Sequence, residues 1–294
     1  MNRRVFWILA LLASAGCATH TGAPAASAAV EVAPRSAAHE NLNAVLWVQT
    51  ALEYEVAALQ AYRLAQGQLD AALADPSWTA AIEQQGDPSK LPPAVIVDVD
   101  ETVLDNSYYQ ARMIRDNTAF STATWDPWVE EARATAIPGA VEFTQYAAKK
   151  GVTVFYLTNR TANLEAATRR NLAAENFPLG DAVDTVLARD ERPEWSASAK
   201  GPRRAFVARD YRILMLIGDD LGDFVVEAAG TPEDRRARAA AQSEWWGRRW
   251  IMLPNPTYGS WERAIIGSAQ DANAARRAAL KTGCYRVLQG AAGC

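Results

Sequence analysis

Two carboxylates one residue apart, Asp98 and Asp100, close the apolar run Ala94–Val97 in the stretch AVIVDVDETVLDN. Acids are costly to bury, so a pair at the end of a hydrophobic strand needs a cation, a proton or a reaction to accompany it. Polar endings of the same kind recur. VTVFYL (152–157) stops at Thr158-Asn159-Arg160, and ILMLI (213–217) stops at Gly218-Asp219-Asp220. Ligand sites of open α/β sheets lie beyond the carboxyl ends of the strands. If these three runs are parallel strands of one sheet, residues distant in sequence converge on one crevice. A cluster of carboxylate oxygens there suits a hard cation such as magnesium.

The residues that are missing narrow the chemistry. His20 and His39 are the only histidines, and both precede the first strand. A Ser-His-Asp triad, a phosphohistidine enzyme and a His-based zinc hydrolase all lack their key residue. No cysteine pair has metal-ligand spacing, and no GxxxxGK[ST] loop is present. A carboxylate remains as the nucleophile, and aspartyl-phosphate formation is an established carboxylate chemistry.

Strands alternate with helices around these motifs. We read an amphipathic helix over Asn41–Ala65, a second reaching Gln84, and helices over Ala140–Lys150, Ala162–Glu175 and Pro232–Arg249. Strands are expected at Ala94–Val97, Val152–Leu157, Thr185–Leu187, Ile213–Ile217 and Trp250–Leu253. The pattern predicts an α/β fold, a doubly wound Rossmann-like parallel sheet with helical N-terminal and cap elements. The domain is expected over 40–267, followed by a C-terminal helix and tail over 268–294.

Residues 1–16 read as a signal peptide: Arg3 and Arg4 precede an apolar run, Val5–Ala15, too short to span a bilayer. The context LLASAGC resembles a lipoprotein cleavage site with Cys17 as the lipidated residue, and 17–39 is a small-residue tether. An ordinary signal peptide cut nearby is the alternative. Removing Arg3 and Arg4 from 30 basic residues, against 34 acidic, leaves a net charge of −6. That balance argues against a nucleic acid polymer as partner. Cys284 and Cys294 either form a disulfide closing a short loop or stay as two thiols.

DVDET (98–102), Thr158, Lys200 and GDDLGDF (218–224) resemble the four motifs of the haloacid-dehalogenase (HAD) superfamily. LDNSYY, WDPW, TNR and LPNPTYGSWE narrow the resemblance to the bacterial class C acid phosphatases, outer-membrane lipoproteins that act as 5′-nucleotidases. The resemblance implies that Asp98 is the nucleophile and Asp100 the general acid and base. It implies Thr158 and Lys200 on the phosphoryl oxygens. Magnesium would be held by the Asp98 and Asp219 carboxylates and the Asp100 carbonyl, with Asp223 supporting the metal indirectly. Trp125 and Tyr258 match base-stacking positions, packing being the alternative for each. Asn159 and Arg160 lie where substrate passes, although Arg160 could equally pair with a nearby acid. Asp220 stands where the family usually has Asn, and its role is open.

The expected partners are small phosphate monoesters, nucleoside monophosphates among them, and a membrane through the lipid anchor only. The expected location is the outer membrane, facing the periplasm or the surface. A phosphotransferase of the same fold and a non-catalytic surface-binding lipoprotein are the alternatives.

Overall fold

A computed structural model of the chain describes residues 39–180, 182–267 and 274–284. The expected signal peptide, the lipidation site Cys17 and most of the tether lie outside the described residues, as does Cys294. His39–Cys294 forms one compact unit. Among the described residues no helix is long and apolar enough to cross a membrane.

The sheet is built from β1 (Pro93–Val97), β4 (Thr153–Thr161), β5 (Val186–Arg189), β6 (Arg212–Gly218) and β7 (Trp250–Met252), in the order β5-β4-β1-β6-β7. Every pairing is parallel. Side chains of β1 alternate between two cores, Val95 and Val97 on one face, Ala94 and Ile96 on the other. A strand covered on both faces therefore needs the continuous apolar run seen in the sequence. The chain leaves β1 toward β4 on one side, and β6 pairs on the other, so the carboxyl end of β1 is a topological switch point.

Two helices precede the sheet, α1 (Leu42–Thr50) and α2 (Leu52–Ala74). The single helix expected over Asn41–Ala65 is broken at Ala51, whose backbone is extended with ψ 123°. The expected continuation to Gln84 stops at Ala74. Pro76 disfavours helical backbone at Asp75, and the Asp75 carboxylate accepts the Ser77 N–H at 2.9 Å instead. α2 braces the first loop: the buried Tyr62 hydroxyl donates to the Thr102 carbonyl at 2.6 Å.

The aromatic stretch after β1 forms a small cap. A two-stranded antiparallel pair, β2 (Leu104–Asp105) with β3 (Thr135–Ala136), flanks α3 (Ser107–Asp116) and α4 (Thr122–Glu131). Helices α5 (Ala140–Lys149) and α6 (Glu165–Ala174) follow near their expected places, α6 preceded by a 3₁₀ turn over Ala162–Leu164. α7 (Gly201–Asp210) was not anticipated. Its opening Gly-Pro reads as a breaker, yet proline is well suited to the first turn of a helix.

The basic helix expected to Arg249 ends as α8 (Pro232–Ala240), with no buried residue. A 3₁₀ turn at Ser243–Trp245 and Gly247, at φ +74°, then return the chain to β7. Trp250 is fully buried, and the partly buried Trp245 and Trp246 pack around it. α9 (Ser260–Ile266) and α10 (Ala274–Cys284) complete the described chain. Cys284 is disulfide-bonded.

Candidate active site

Asp98 follows β1 directly, and its backbone N–H still joins the sheet by donating to the Ile217 carbonyl at 2.9 Å. The residue is only 7% exposed. The Thr102 hydroxyl donates to Asp98 Oδ2 at 3.0 Å and lies 3.3 Å from Asp219 Oδ1. Asn255, beyond β7, donates to Asp219 Oδ2 at 2.8 Å. Asp223 is carried back under β6 by the 3₁₀ turn Leu221–Asp223. That return requires glycine at 218, because a Cβ there would lie 2.2 Å from Asp223 Oδ2.

Oxygens of Asp98, Asp219 and Asp223 all lie within 4.8 Å of one another. Lys200, placed by the N-terminal end of α7, donates to Asp98 Oδ1 and to Asp223 Oδ1, the latter at 2.7 Å. Burial drives the Asp98 carboxyl upward to about 7, with Lys200 opposing and Asp223 and Asp100 adding to the rise. Asp219 is held well above the usual carboxylate range, first by burial and then by Asp98 and Asp223. Burial acts against the Lys200 charge, but Asp223 and Asp98 outweigh it and raise its pKa. One ammonium thus pairs with two of three clustered carboxylates, Asp98 and Asp223. When all are ionised, the excess is two negative charges, which a divalent cation bound to carboxylate oxygens would balance.

Asp100 turns away from this cluster. Arg160 grips it from β4, with Nη2 at 2.7 Å and Nε at 3.0 Å from Oδ1. The Asn106 amide donates to the same oxygen at 2.9 Å, and the Thr158 hydroxyl reaches Oδ2 at 3.4 Å. Arg160 is buried, and its guanidinium also lies 5.6 Å from the centre of the Trp125 ring. Of the two readings open for Arg160, the structure shows pairing with an acid. Thr158 is fully buried, its hydroxyl directed to Asp100 and its carbonyl accepting from Arg203.

Asp98, Asp100, Lys200, Asp219, Asp223, Asn159, Arg160, Trp125 and Tyr258 line one open crevice of about 1610 Å³. Every expected site residue among the described ones reaches this crevice except Thr158, which stands behind Asp100. Asp220 has a structural task. Its Oδ1 accepts from the Gly222 N–H at 2.8 Å and the Ser260 hydroxyl at 2.6 Å, and its Oδ2 accepts from the Ser260 N–H at 2.6 Å. Burial pushes its pKa up, but these bonds carry it below the ordinary value. It ties the β6 loop to the start of α9.

Sequence reasoning missed several supporting residues. Asn106 joins the general-acid candidate to the cap, since its Oδ1 accepts from Trp128 Nε1 at 2.8 Å. Asp105 accepts from the Ser107 N–H at 2.7 Å where α3 begins. Arg203 and Arg204 are fully buried on α7. Arg203 holds the Thr158 carbonyl and, at 2.5 Å, Asn159 Oδ1. Arg204 reaches the Asp223 carbonyl at 2.8 Å and Glu83 at 2.7 Å. Their one available signal was two adjacent arginines three residues after Lys200.

A five-stranded parallel sheet with acids at its switch point defines an α/β enzyme-like fold of the HAD type. The family described as HAD superfamily, subfamily IIIB (acid phosphatase), matches residues 2–261, and the chain belongs to it. Among solved structures it is similar to the class C acid phosphatase from Bacillus anthracis, at 32% identity and TM-score 0.74. That match covers 85% of this chain and 98% of the other. A second structure of the Bacillus enzyme, with tungstate bound, matches at 31% identity and TM-score 0.74, with the same coverage. Acid phosphatase 1 of Solanum lycopersicum is 31% identical over 165 residues, 55% of this chain and 57% of its own length. A stem 28 kDa glycoprotein of Glycine max is 23% identical over 164 residues, 55% of this chain and 58% of its own. The chain thus spans a little over half the length of these curated relatives.

Proposed function

We propose that this protein is a magnesium-dependent phosphomonoesterase acting on nucleoside 5′-monophosphates and other small phosphate esters. One observation carries the reading: Asp98, Asp219 and Asp223 gather at the switch point of the sheet with a single ammonium, Lys200, which pairs with Asp98 and Asp223. Membership of an acid phosphatase subfamily supports it. So does the Bacillus enzyme solved with tungstate, an oxyanion resembling phosphate in charge and shape.

In this mechanism an Asp98 carboxylate oxygen attacks phosphorus, the bond to the ester oxygen breaks, and Asp100 gives that oxygen a proton. Asp100 then takes a proton from water as the water attacks the phosphoaspartate, releasing phosphate and restoring the Asp98 carboxylate. Lys200 neutralises charge on the phosphoryl oxygens, and such positioning and electrostatics supply most of the catalysis in phosphoryl transfer. The Asp98 and Asp219 carboxylates and the Asp100 carbonyl would hold the magnesium ion, with Asp223 beside them supporting it. When bound, the ion supplies charge neutralisation for the phosphoryl group and for the acids themselves. Arg160, Asn106 and Thr158 orient Asp100. Trp125 and Tyr258 offer aromatic faces to a nucleobase or another flat leaving group, a contact that tolerates many bases.

From the LLASAGC context we further propose that the mature protein is tethered to the outer membrane through lipidated Cys17. The test is a panel of phosphate esters, assayed with magnesium and with chelator. Magnesium-dependent release of phosphate that disappears in Asp98→Ala is expected. Turnover that survives both chelation and Asp98→Ala contradicts the mechanism. With nucleoside added as acceptor, phosphate appearing mainly as new nucleotide would instead identify a phosphotransferase.

A further inference from the structure

Glu101 lies in the catalytic loop but takes no part in the mechanism above. It follows Asp100 directly and is 3% exposed. Its backbone sits at φ +60°, a left-handed conformation that costs a non-glycine residue about 1 kcal/mol. The conformation is held by its own N–H, which donates to the Leu104 carbonyl at 2.8 Å. The inturned carboxylate has two partners. Oε1 accepts the Asn106 backbone N–H at 2.9 Å, and Oε2 accepts the phenolic hydroxyl of Tyr258, 157 residues away.

Tyr258 stands on the loop between β7 and α9, whose other contacts point the same way. Asn255 reaches Asp219, and Ser260 reaches Asp220. The loop itself is stiffened where Asn255 Oδ1 accepts the Thr257 N–H at 2.9 Å and its hydroxyl at 2.6 Å. Asn255 and Ser260 fasten the loop's backbone, and neither fixes the Tyr258 ring. Glu101 alone among these contacts grips the ring, through its hydroxyl. The ring is half-buried and lines the crevice that holds Asp98 and Asp100.

We propose that Glu101 is a positioning residue for leaving-group selection, holding the Tyr258 ring at the crevice wall. The carboxyl and the phenol together link the loop that carries the nucleophile to the surface that meets the non-reacting part of the substrate. A flat leaving group that stacks on a pre-positioned ring loses less freedom on binding than one that must order the ring itself. A small aliphatic leaving group makes no such contact. The proposal rests on the phosphomonoesterase reading given above.

The test compares the full chain with its Tyr258→Phe, Glu101→Ala and Glu101→Gln variants, in magnesium, on adenosine 5′-monophosphate and on glycerol phosphate. Tyr258→Phe keeps the ring and removes only the hydroxyl. It is expected to raise KM for the nucleotide about five-fold more than KM for glycerol phosphate, with kcat little changed, as one lost hydrogen bond implies. Glu101→Ala should show the same split, and Glu101→Gln should recover most of it, because the glutamine amide can donate to the phenol oxygen while its carbonyl accepts from Asn106. The Tyr258→Phe, Glu101→Ala double variant should be no worse than either single variant. Equal losses on both esters, or a Tyr258→Phe variant matching the parent, would overturn the proposal while leaving the phosphatase reading intact. Tyr258→Phe decides the matter even if Glu101→Ala fails to fold. A parent chain that hydrolyses neither ester overturns both.

Discussion

Two groups of three carboxylates among the described residues could each gather around one ion, and they are built in opposite ways. Asp98, Asp219 and Asp223 sit at the switch point of the sheet, and Asp98 and Asp223 share the Lys200 ammonium. Glu165, Asp184 and Glu191 sit beside α6 and β5 near the surface. Arg169 donates to Glu165 at 2.6 Å and also to Asp184, and Asp184 is exposed. Asp184 is open to solvent, and the part-exposed Arg169 satisfies charge on both Glu165 and Asp184. No such relief reaches the first group, where strand ends, a glycine and a buried lysine hold the acids together. Proximity of acids is therefore a weak sign of function. Proximity maintained against the cost of burial is a strong one.

Lys200→Met should produce the largest effect on this contrast. Two buried carboxylates lose their cation, so stability should fall by about 3 kcal/mol or more, alongside a loss of activity of about a hundred-fold. Thermal unfolding with and without magnesium checks the comparison: the ion should restore part of the lost Tm by binding the native state. A Lys200→Met protein as stable as the parent without metal would erase the difference between the two groups.

Arg160→Lys should come next. The bidentate grip on Asp100 becomes a single point charge, so kcat is expected to drop about ten-fold with KM within about two-fold. A large rise in KM instead would return Arg160 to the role of substrate ligand.

The smallest effect belongs to the surface group. Burial pushes Glu191 up to about 7, with the Ala188 N–H opposing. A carboxyl with a raised folded pKa contributes stability that is fully present below its unfolded value, near 4.5, and lost as pH rises through about 7. Glu191→Gln should therefore raise Tm at pH 8, show little difference near pH 4.5 and leave kcat/KM untouched at either pH. A change in activity would mean that this second group is coupled to the crevice.

Much of this site could be read from the chain because its residues follow continuous apolar runs. Strands β1, β4 and β6 announce themselves by composition, and parallel topology converts their ends into one place. The supporting network was hidden for definite reasons. Arg203 and Arg204 are charged residues in a core, which inverts the polarity pattern that sequence reading uses. Helices α3 and α4 are only ten residues each and carry aromatic residues that suit strands as well, so the cap was not read as helices. Ala51 carries no breaker chemistry, and the interruption between α1 and α2 comes from packing rather than propensity. The role of Asp220 stayed open in the sequence, and only the position of Ser260 revealed it as a tie between loops.

If Asp98 is the nucleophile of a phosphatase, its phosphorylated intermediate can be trapped. Protein mixed with ³²P-labelled nucleoside monophosphate and magnesium, then quenched in acid, should carry label on the peptide that contains Asp98, and the label should be released by hydroxylamine. Asp98→Asn should carry none. Label on another peptide, or turnover persisting in Asp98→Asn without labelled protein, would contradict the account.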